Sequence, residues 1–527
     1  MKKENYILVV GIILCGFISN SSQLDPSLVI RHIAWCIMTA LLCGCLFLKQ
    51  RKNLSVLNTL LFAFFLAYCA ITTISIVKAD NPSESLYFIL TAWVSLIFFV
   101  CVASVIDKKI IIKALVCMGL CFAIYGLYDI VMASMNNGIK STPGLGFATG
   151  RNLWSSSLLL LLPFSLYSAA KKNKIAIIAV ILLLINIILL QTRSVYAALF
   201  VSAFISLVVY KKKLAVLLVV VVLLCVPIFD RLRGTGSLSY RLQSWNKSVK
   251  TFCDEPMLGV GAGNWKTAVP RYGNVIKYDK SREIFLQRAH NDFIEVFTET
   301  GIFGGLCYLS IFTIAIHYSR RAIDKTLAWS MRFGITSYMV FAFFSFPRER
   351  AIHSILLLVM IALIVKEYPH EKNWCEKRNI KTFSVCAAII LLALFVNYHR
   401  YATERYCRKM LVAKANKDWG EVLKIINENY TPYSTMLGHA VTPILQYRAE
   451  ANFYLNNQSA AYSDYLSAYR NHPNHAAILT NIGSYKIRER KFKEALYFYD
   501  RANTVMPGLP VITEPLSKLR EIEVSWR

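Results

Sequence analysis

His290 and three arginines, Arg151, Arg193 and Arg241, are the residues whose types and places suit them to move a proton and to stabilise an anion. His290 comes directly before a polar helical stretch, Asp292–Thr300, which runs into an apolar span beginning at Gly301. An imidazole of pKa about 6.5 at such an edge can accept a proton from a hydroxyl. A lone histidine is more often an ordinary surface or core residue. What singles out this one is its place at a bilayer edge beside arginines.

Arg193 stands at the end of one apolar span, Arg151 at the start of another, Arg348 and Arg350 in a further turn, and Arg241 in the polar interval that precedes His290. Arg151, Arg193, Arg348 and Arg350 stand at span ends on the side whose short turns are poor in charge, so each needs a reason. Snorkelling to lipid phosphates is the plain account. A fork for a lipid diphosphate is the functional one, and several such arginines on one side favour it. No Asp-x-Asp pair lies on that side, and Asp254-Glu255 reads as a turn before Pro256. No metal site and no cofactor are therefore expected, and arginine has to carry the charge of any leaving group.

These residues must be positioned by the stretch 231–300, the one long polar interval inside an otherwise apolar run. Within it, Tyr240–Phe252 puts Leu242, Trp245, Val249 and Phe252 on one helical face, as in a helix lying at a membrane interface. The glycines at 259, 261 and 263 follow Pro256. They lack the Lys-Ser/Thr of a phosphate loop and the strand-to-helix setting of a dinucleotide fingerprint, so a tight turn seated on the membrane surface is the expectation.

The rest of the chain is membrane. Its 527 residues are 56% hydrophobic with a mean hydropathy of +0.45, and apolar runs repeatedly reach the roughly 20 residues that span a bilayer. Thirteen such runs lie at about 5–20, 28–48, 54–76, 86–106, 110–134, 152–170, 174–190, 195–210, 213–229, 301–318, 327–346, 351–366 and 382–398. The expectation is an all-α polytopic membrane protein of about 12–13 transmembrane helices plus a C-terminal α-helical repeat domain.

The net charge of +28 does not point to nucleic acid, because the basic residues sit in short clusters between spans. Those clusters, from Lys2-Lys3 through Lys108-Lys109, Lys171-Lys172 and Lys211–Lys213 to Arg320-Arg321 and Lys377-Arg378, all fall on one side, the cytoplasmic one by the positive-inside rule. The interval 231–300 and the tail then lie on the other side. Most of the 14 cysteines sit in apolar runs as small hydrophobes, with no disulfide or zinc spacing. The first run lacks a cleavage site and is read as a retained helix.

Residues 399–527 repeat themselves. Leu445, Ala449, Ala461, Tyr465, Ala468 and Pro473 recur 34 positions later as Leu479, Gly483, Ala495, Tyr499, Ala502 and Pro507, which is the tetratricopeptide period. Such a unit is either a docking surface for a protein partner or a stabilising spacer. The chain thus divides into 1–230, N-terminal spans; 231–300, a large loop; 301–398, C-terminal spans; and 399–527, the repeats.

Together the Thr192-Arg193-Ser194 turn, Arg241 with Trp245, the Pro256–Asn264 glycine block, and His290-Asn291 followed by Glu299-Thr300-Gly301 resemble the O-antigen ligase and polymerase superfamily of bacterial envelope glycosyltransferases. The resemblance covers about 150–366. It implies a GT-C type transferase of the bacterial inner membrane, with active site and repeats in the periplasm. Its donor would be a glycan on undecaprenyl diphosphate, and it would need neither metal nor nucleotide sugar. By position His290 resembles the family's essential histidine, Arg193 and Arg241 its diphosphate-contacting arginines, and Arg151 part of a less regular polar pair with Asn152.

The implied reaction is inverting transfer to a hydroxyl of lipid A-core oligosaccharide. A polysaccharide polymerase and a protein O-oligosaccharyltransferase, acting on another lipid-linked glycan or on protein, are the alternatives. A transporter is disfavoured because the span centres hold no evident ionisable relay. A scaffold would give no reason for the arginines and His290 at one face.

Overall fold

A computed structural model describes residues 3–48, 52–53, 55–137, 150–210, 236–273, 275–277, 283–369, 375–376, 380–437 and 441–525. The protein is an all-α polytopic membrane protein. Its bundle comprises α1 (Lys3–Phe17), α2 (Leu28–Leu48), α3 (Leu60–Ile74), α4 (Pro82–Val105), α5 (Lys108–Asn137), α6 (Arg151–Ala170), α7 (Lys174–Leu190) and α8 (Arg193–Tyr210). After α9 (Gly236–Asp254) in the polar interval come α10 (Asp292–Arg321), α11 (Lys325–Phe344), α12 (Ala351–Glu367) and α13 (Ile380–Ala415). Among the described residues eight helices are long and apolar enough to cross a membrane, and α7 and α8 are shorter apolar helices. The span expected at 213–229 lies outside the described residues.

Helix α12 is the axis of the bundle: nearly every residue from Ala351 to Val365 is buried. Apolar side chains on the rim, such as Ile177, Ile181 and Ile188 of α7, stay exposed, as expected where lipid rather than water is the neighbour. The connections sort into two ends. At one end Asp324 caps α11 at Leu327 N (3.0 Å), takes Tyr167 (2.8 Å) and pairs with Lys108, which also pairs with Glu367. At the other end the α1–α2, α3–α4 and α11–α12 turns meet the polar interval and the tail.

Two backbone segments are clasped at that second end. Helix α10 breaks at Gly301 (φ 68°, ψ −169°). Into the break fits the glycine block: Val260 N donates to Thr298 O, Gly261 N to Glu299 O (both 3.0 Å) and Ile302 N to Pro256 O (2.8 Å). A Cβ on Gly259 would lie 2.4 Å from the Glu299 backbone, and one on Gly301 2.2 Å from Met257 O. Gly259–Asn264 are buried against α10 and the start of α4, while Pro256 and Met257 at the front of the block are exposed. Asn264 completes the clasp, donating to Ser85 Oγ (2.8 Å) and accepting from Asn81 N (2.7 Å).

The tail continues α13 through α14 (Trp419–Asn429) into α15 (Ile444–Tyr454), α16 (Gln458–Asn471), α17 (Ala476–Arg488), α18 (Phe492–Val505) and α19 (Pro510–Ser525). The periodic residues other than the two prolines are its interior: Ala449, Ala461, Ala468, Ala495 and Ala502 are fully buried, while Pro507 is exposed. It folds back on the same end of the bundle, where Asn474 donates to Thr267 O (2.8 Å) and Asn81 to Thr435 Oγ1 (3.0 Å).

Gly259→Ala combines a left-handed backbone with a backbone clash and is expected to lower stability by about 2–4 kcal/mol. Gly44→Ala, a helical site with nothing within 4 Å of the added carbon, serves as the control and should be neutral or slightly stabilising. Thermal unfolding in detergent compares the two, and equal midpoints would contradict the clasp.

Candidate functional site

His290 sits at the junction of the clasp, α9 and the α11–α12 turn. The backbone of 286–291 is strapped from both sides. Trp245 Nε1 donates to Ala289 O (3.0 Å), Ser244 Oγ donates to Arg288 O (3.4 Å), and Ala289 N donates to Glu295 Oε2 (3.1 Å). Asn291 then caps α10, its Oδ1 accepting from Phe293 N (3.0 Å) and Ile294 N (3.1 Å), a residue type suited to that role. His290, caught between strap and cap, is left-handed at φ 53°, a conformation uncommon for a residue with a Cβ.

Its half-buried ring stands edge-to-face between Tyr240 (5.5 Å) and Phe346 (5.2 Å). Burial, helped by the charges of Arg241 and Arg288, pulls the imidazole down to about 3. The ring is therefore neutral across the physiological range. As a free base it is also weak, and an anion that neutralised Arg241 would strengthen it.

Arg241 lies on α9 close enough to act on His290. On α9 Leu242 and Val249 are about half exposed, Trp245 and Phe252 of the same stripe pack on Phe343 and Phe297, and Ser244, Ser248 and Thr251 are buried. Arg151 and Arg193 form a second pair at the starts of α6 and α8, both exposed, with Arg151 acting on Tyr196 one turn beyond Arg193. Among the described residues Arg193 has no hydrogen-bond or ion-pair partner. Helix α11 links the two pairs: it packs on α6 and α8, and the segment at its end meets Trp245 through Phe343 and His290 through Phe346.

Arg348 and Arg350 fit neither account proposed for them from sequence. Arg348 reaches Glu299 (2.9 Å), Glu295 (3.4 Å) and, through its backbone N, Asp292 (2.9 Å). Arg350 binds Asp25 (2.6 Å). Both are internal ties, as is Arg400 of α13, which meets Glu84 (3.1 Å) across the Tyr87 ring. Arg288 pairs with Glu349 over the ring of Phe346, 4.5 Å away. The spacing of Asp292, Glu295 and Glu299, which puts three carboxylates on one helical face, is the signal that could have revealed the Arg348 tie.

Residues 178–309 match the family model of O-antigen ligase. The matched stretch, about a quarter of the chain, contains Arg193, Arg241, the glycine clasp and His290. No curated protein matches the chain. The O-antigen ligase match ends inside α10, before Arg348, Arg400 and the tail.

Removing a structural arginine and a site arginine should have opposite signatures. Arg348→Ala strands buried Glu295 and Glu299 and is expected to cost about 3–5 kcal/mol. Arg193→Ala, at an exposed position, should stay within about 0.5 kcal/mol. Similar losses of thermal stability for both would show that Arg193 is also a structural tie.

Proposed function

We propose that the protein is an O-antigen ligase-type glycosyltransferase. It moves a glycan from undecaprenyl diphosphate to a hydroxyl of lipid A-core oligosaccharide at the periplasmic face of the inner membrane. The observation that carries the proposal is a neutral, backbone-strapped imidazole beside Arg241 at the end of a membrane bundle, within the stretch that matches O-antigen ligase. His290 accepts the proton of the acceptor hydroxyl as that oxygen attacks the anomeric carbon from the face opposite the diphosphate. The bond from that carbon to the diphosphate oxygen breaks, and the diphosphate leaves with the electron pair. The configuration inverts.

Arg241 and Arg193, with Arg151 beside α8, stabilise the charge that grows on the leaving group. Diphosphate needs no general acid. Its arrival also weakens the field of Arg241 on His290, so the base gains strength when the donor is in place. The bilayer confines the prenyl chain and brings the head group to the edge where these residues stand. The tail is a tetratricopeptide-like unit packed on this same end, which suits it to help seat a macromolecular acceptor.

Deleting the gene in its native host and restoring wild type or variants tests the proposal. His290→Ala is expected to lower transfer by about 10²–10⁴-fold, and Arg193→Ala or Arg241→Ala by about 10²–10³-fold. Normal long-chain glycan on the lipid core with His290→Ala would exclude the base. In the deletion, polymerised lipid-linked glycan is the expected accumulation. Single lipid-linked repeat units would point to a polymerase, and loss of glycan from proteins alone to a protein acceptor.

A further inference from the structure

His290 stands between two anchored residues. The backbone of 286–290 belongs to neither helix nor strand, so its polar groups must find partners elsewhere. Ala289 is fully buried and meets side chains with both of its own: its O accepts from Trp245 Nε1 (3.0 Å), and its N donates to Glu295 Oε2 (3.1 Å). On the other side Asn291 is fixed by the bonds from Phe293 N and Ile294 N. The left-handed φ of 53° at His290 is a conformation that persists only while its surroundings impose it.

Glu295 makes one of those anchors from α10 itself. It lies one turn into the helix, its N donating to Asn291 O (3.0 Å). A glutamate near a helix start commonly reaches back to the N–H of the capping residue. Here it reaches past the cap to Ala289, so the ring of chain that it closes contains His290. The carboxylate is itself held: it is buried, and its other oxygen, Oε1, faces Arg348 Nη2 at 3.4 Å. Arg348 is fixed in turn by Glu299 (2.9 Å), by Tyr68 Oη (3.5 Å) and over the Phe88 ring (5.5 Å). The two oxygens therefore have separate tasks, Oε1 in the ion pair and Oε2 in the strap.

We propose that Glu295 is a positioning residue for glycosyl transfer: by holding the Ala289 N–H it fixes the direction in which His290 presents its imidazole to the acceptor hydroxyl. The proposal rests on the role given to His290 above. A charged acceptor on a buried N–H makes one of the stronger hydrogen bonds, and without it that N–H has no water to turn to. Burial, Arg241 and Arg288 lower the proton affinity of the ring; Glu295 acts on where the ring points. Loss of the strap lets the left-handed turn relax, and a misplacement of about 1 Å at a reacting centre costs up to about 10²-fold in rate.

The division between the two oxygens supplies the test. Glu295→Gln breaks the ion pair with Arg348 but keeps a carbonyl oxygen for Ala289 N, whereas Glu295→Ala removes both. Rates of transfer are measured on the full-length protein in nanodiscs, with undecaprenyl-diphosphate-linked glycan and lipid A-core isolated from the native host. Glu295→Ala should lower kcat by about 10–100-fold and leave both KM values within about twofold, and Glu295→Gln should recover kcat to within about threefold of wild type. Both variants should lose thermal stability to a similar degree, because both lose the ion pair. In a His290→Ala background Glu295→Ala should cause no further loss, since residues that act as a unit are not additive. The proposal is overturned if Glu295→Gln is as slow as Glu295→Ala, which would make the ion pair the cause, or if the loss in Glu295→Ala is undiminished in the His290→Ala background. Loss of transfer in His290→Ala with full turnover in Glu295→Ala would keep the base and remove its positioning residue. Full transfer by His290→Ala, or none by wild type, would remove the base and this inference with it.

Discussion

The break in α10 at Gly301, filled by the backbone of the glycine block, is the constraint on which the functional end of the molecule depends. Carbonyls that the break leaves without helical partners accept from Val260 and Gly261, and Pro256 O in turn takes Ile302 N. The contact is backbone on backbone, so no side chain can be inserted at Gly259 or Gly301 without pushing the two segments apart. From it hang the cap at Asn291, the strap through Ala289 and the left-handed turn that aims His290. On the far side, Asn264 ties the clasp to α4, and Glu84 joins Lys266 to Arg400 at the root of the tail.

Charge at this end falls into two kinds. Arg348, Arg350, Arg288 and Arg400 face carboxylates inside the structure, where each pair does little for net stability but cannot be broken singly without stranding its partner. Arg151 and Arg193 stand exposed at helix starts, where a charge is inexpensive and available. Arg241 works between the two kinds, on a half-buried helix and close enough to lower the proton affinity of His290 further than burial alone.

Much of the architecture was legible in the sequence because it follows from local composition. Apolar runs of bilayer length gave the eight helices long enough to span among the described residues, and the 34-residue spacing marked residues that became the interior of the tail. The helix Asp292–Thr300 running into a span at Gly301 is there, with the glycine as its joint. The ion-pair network was not legible, because its partners are far apart in sequence: Arg350 and Asp25 by 325 positions, Arg400 and Glu84 by 316. Nothing near Arg348 marks it as different from Arg193, although one is a tie and the other stands exposed. The glycine spacing announced a close backbone approach, but only the fold shows that α10 is what approaches.

At the centre of the account is a neutral imidazole whose proton affinity is lowered by burial and further by the neighbouring Arg241 and Arg288. The most direct measurement is the pKa of His290 by NMR of the histidine-labelled full chain, assigned with His290→Ala and repeated with inorganic pyrophosphate and with Arg241→Ala. The ring should remain neutral to below about pH 5, and both pyrophosphate and loss of Arg241 should raise its pKa. A ring that titrates near the ordinary value of about 6.5 and responds to neither would contradict the account.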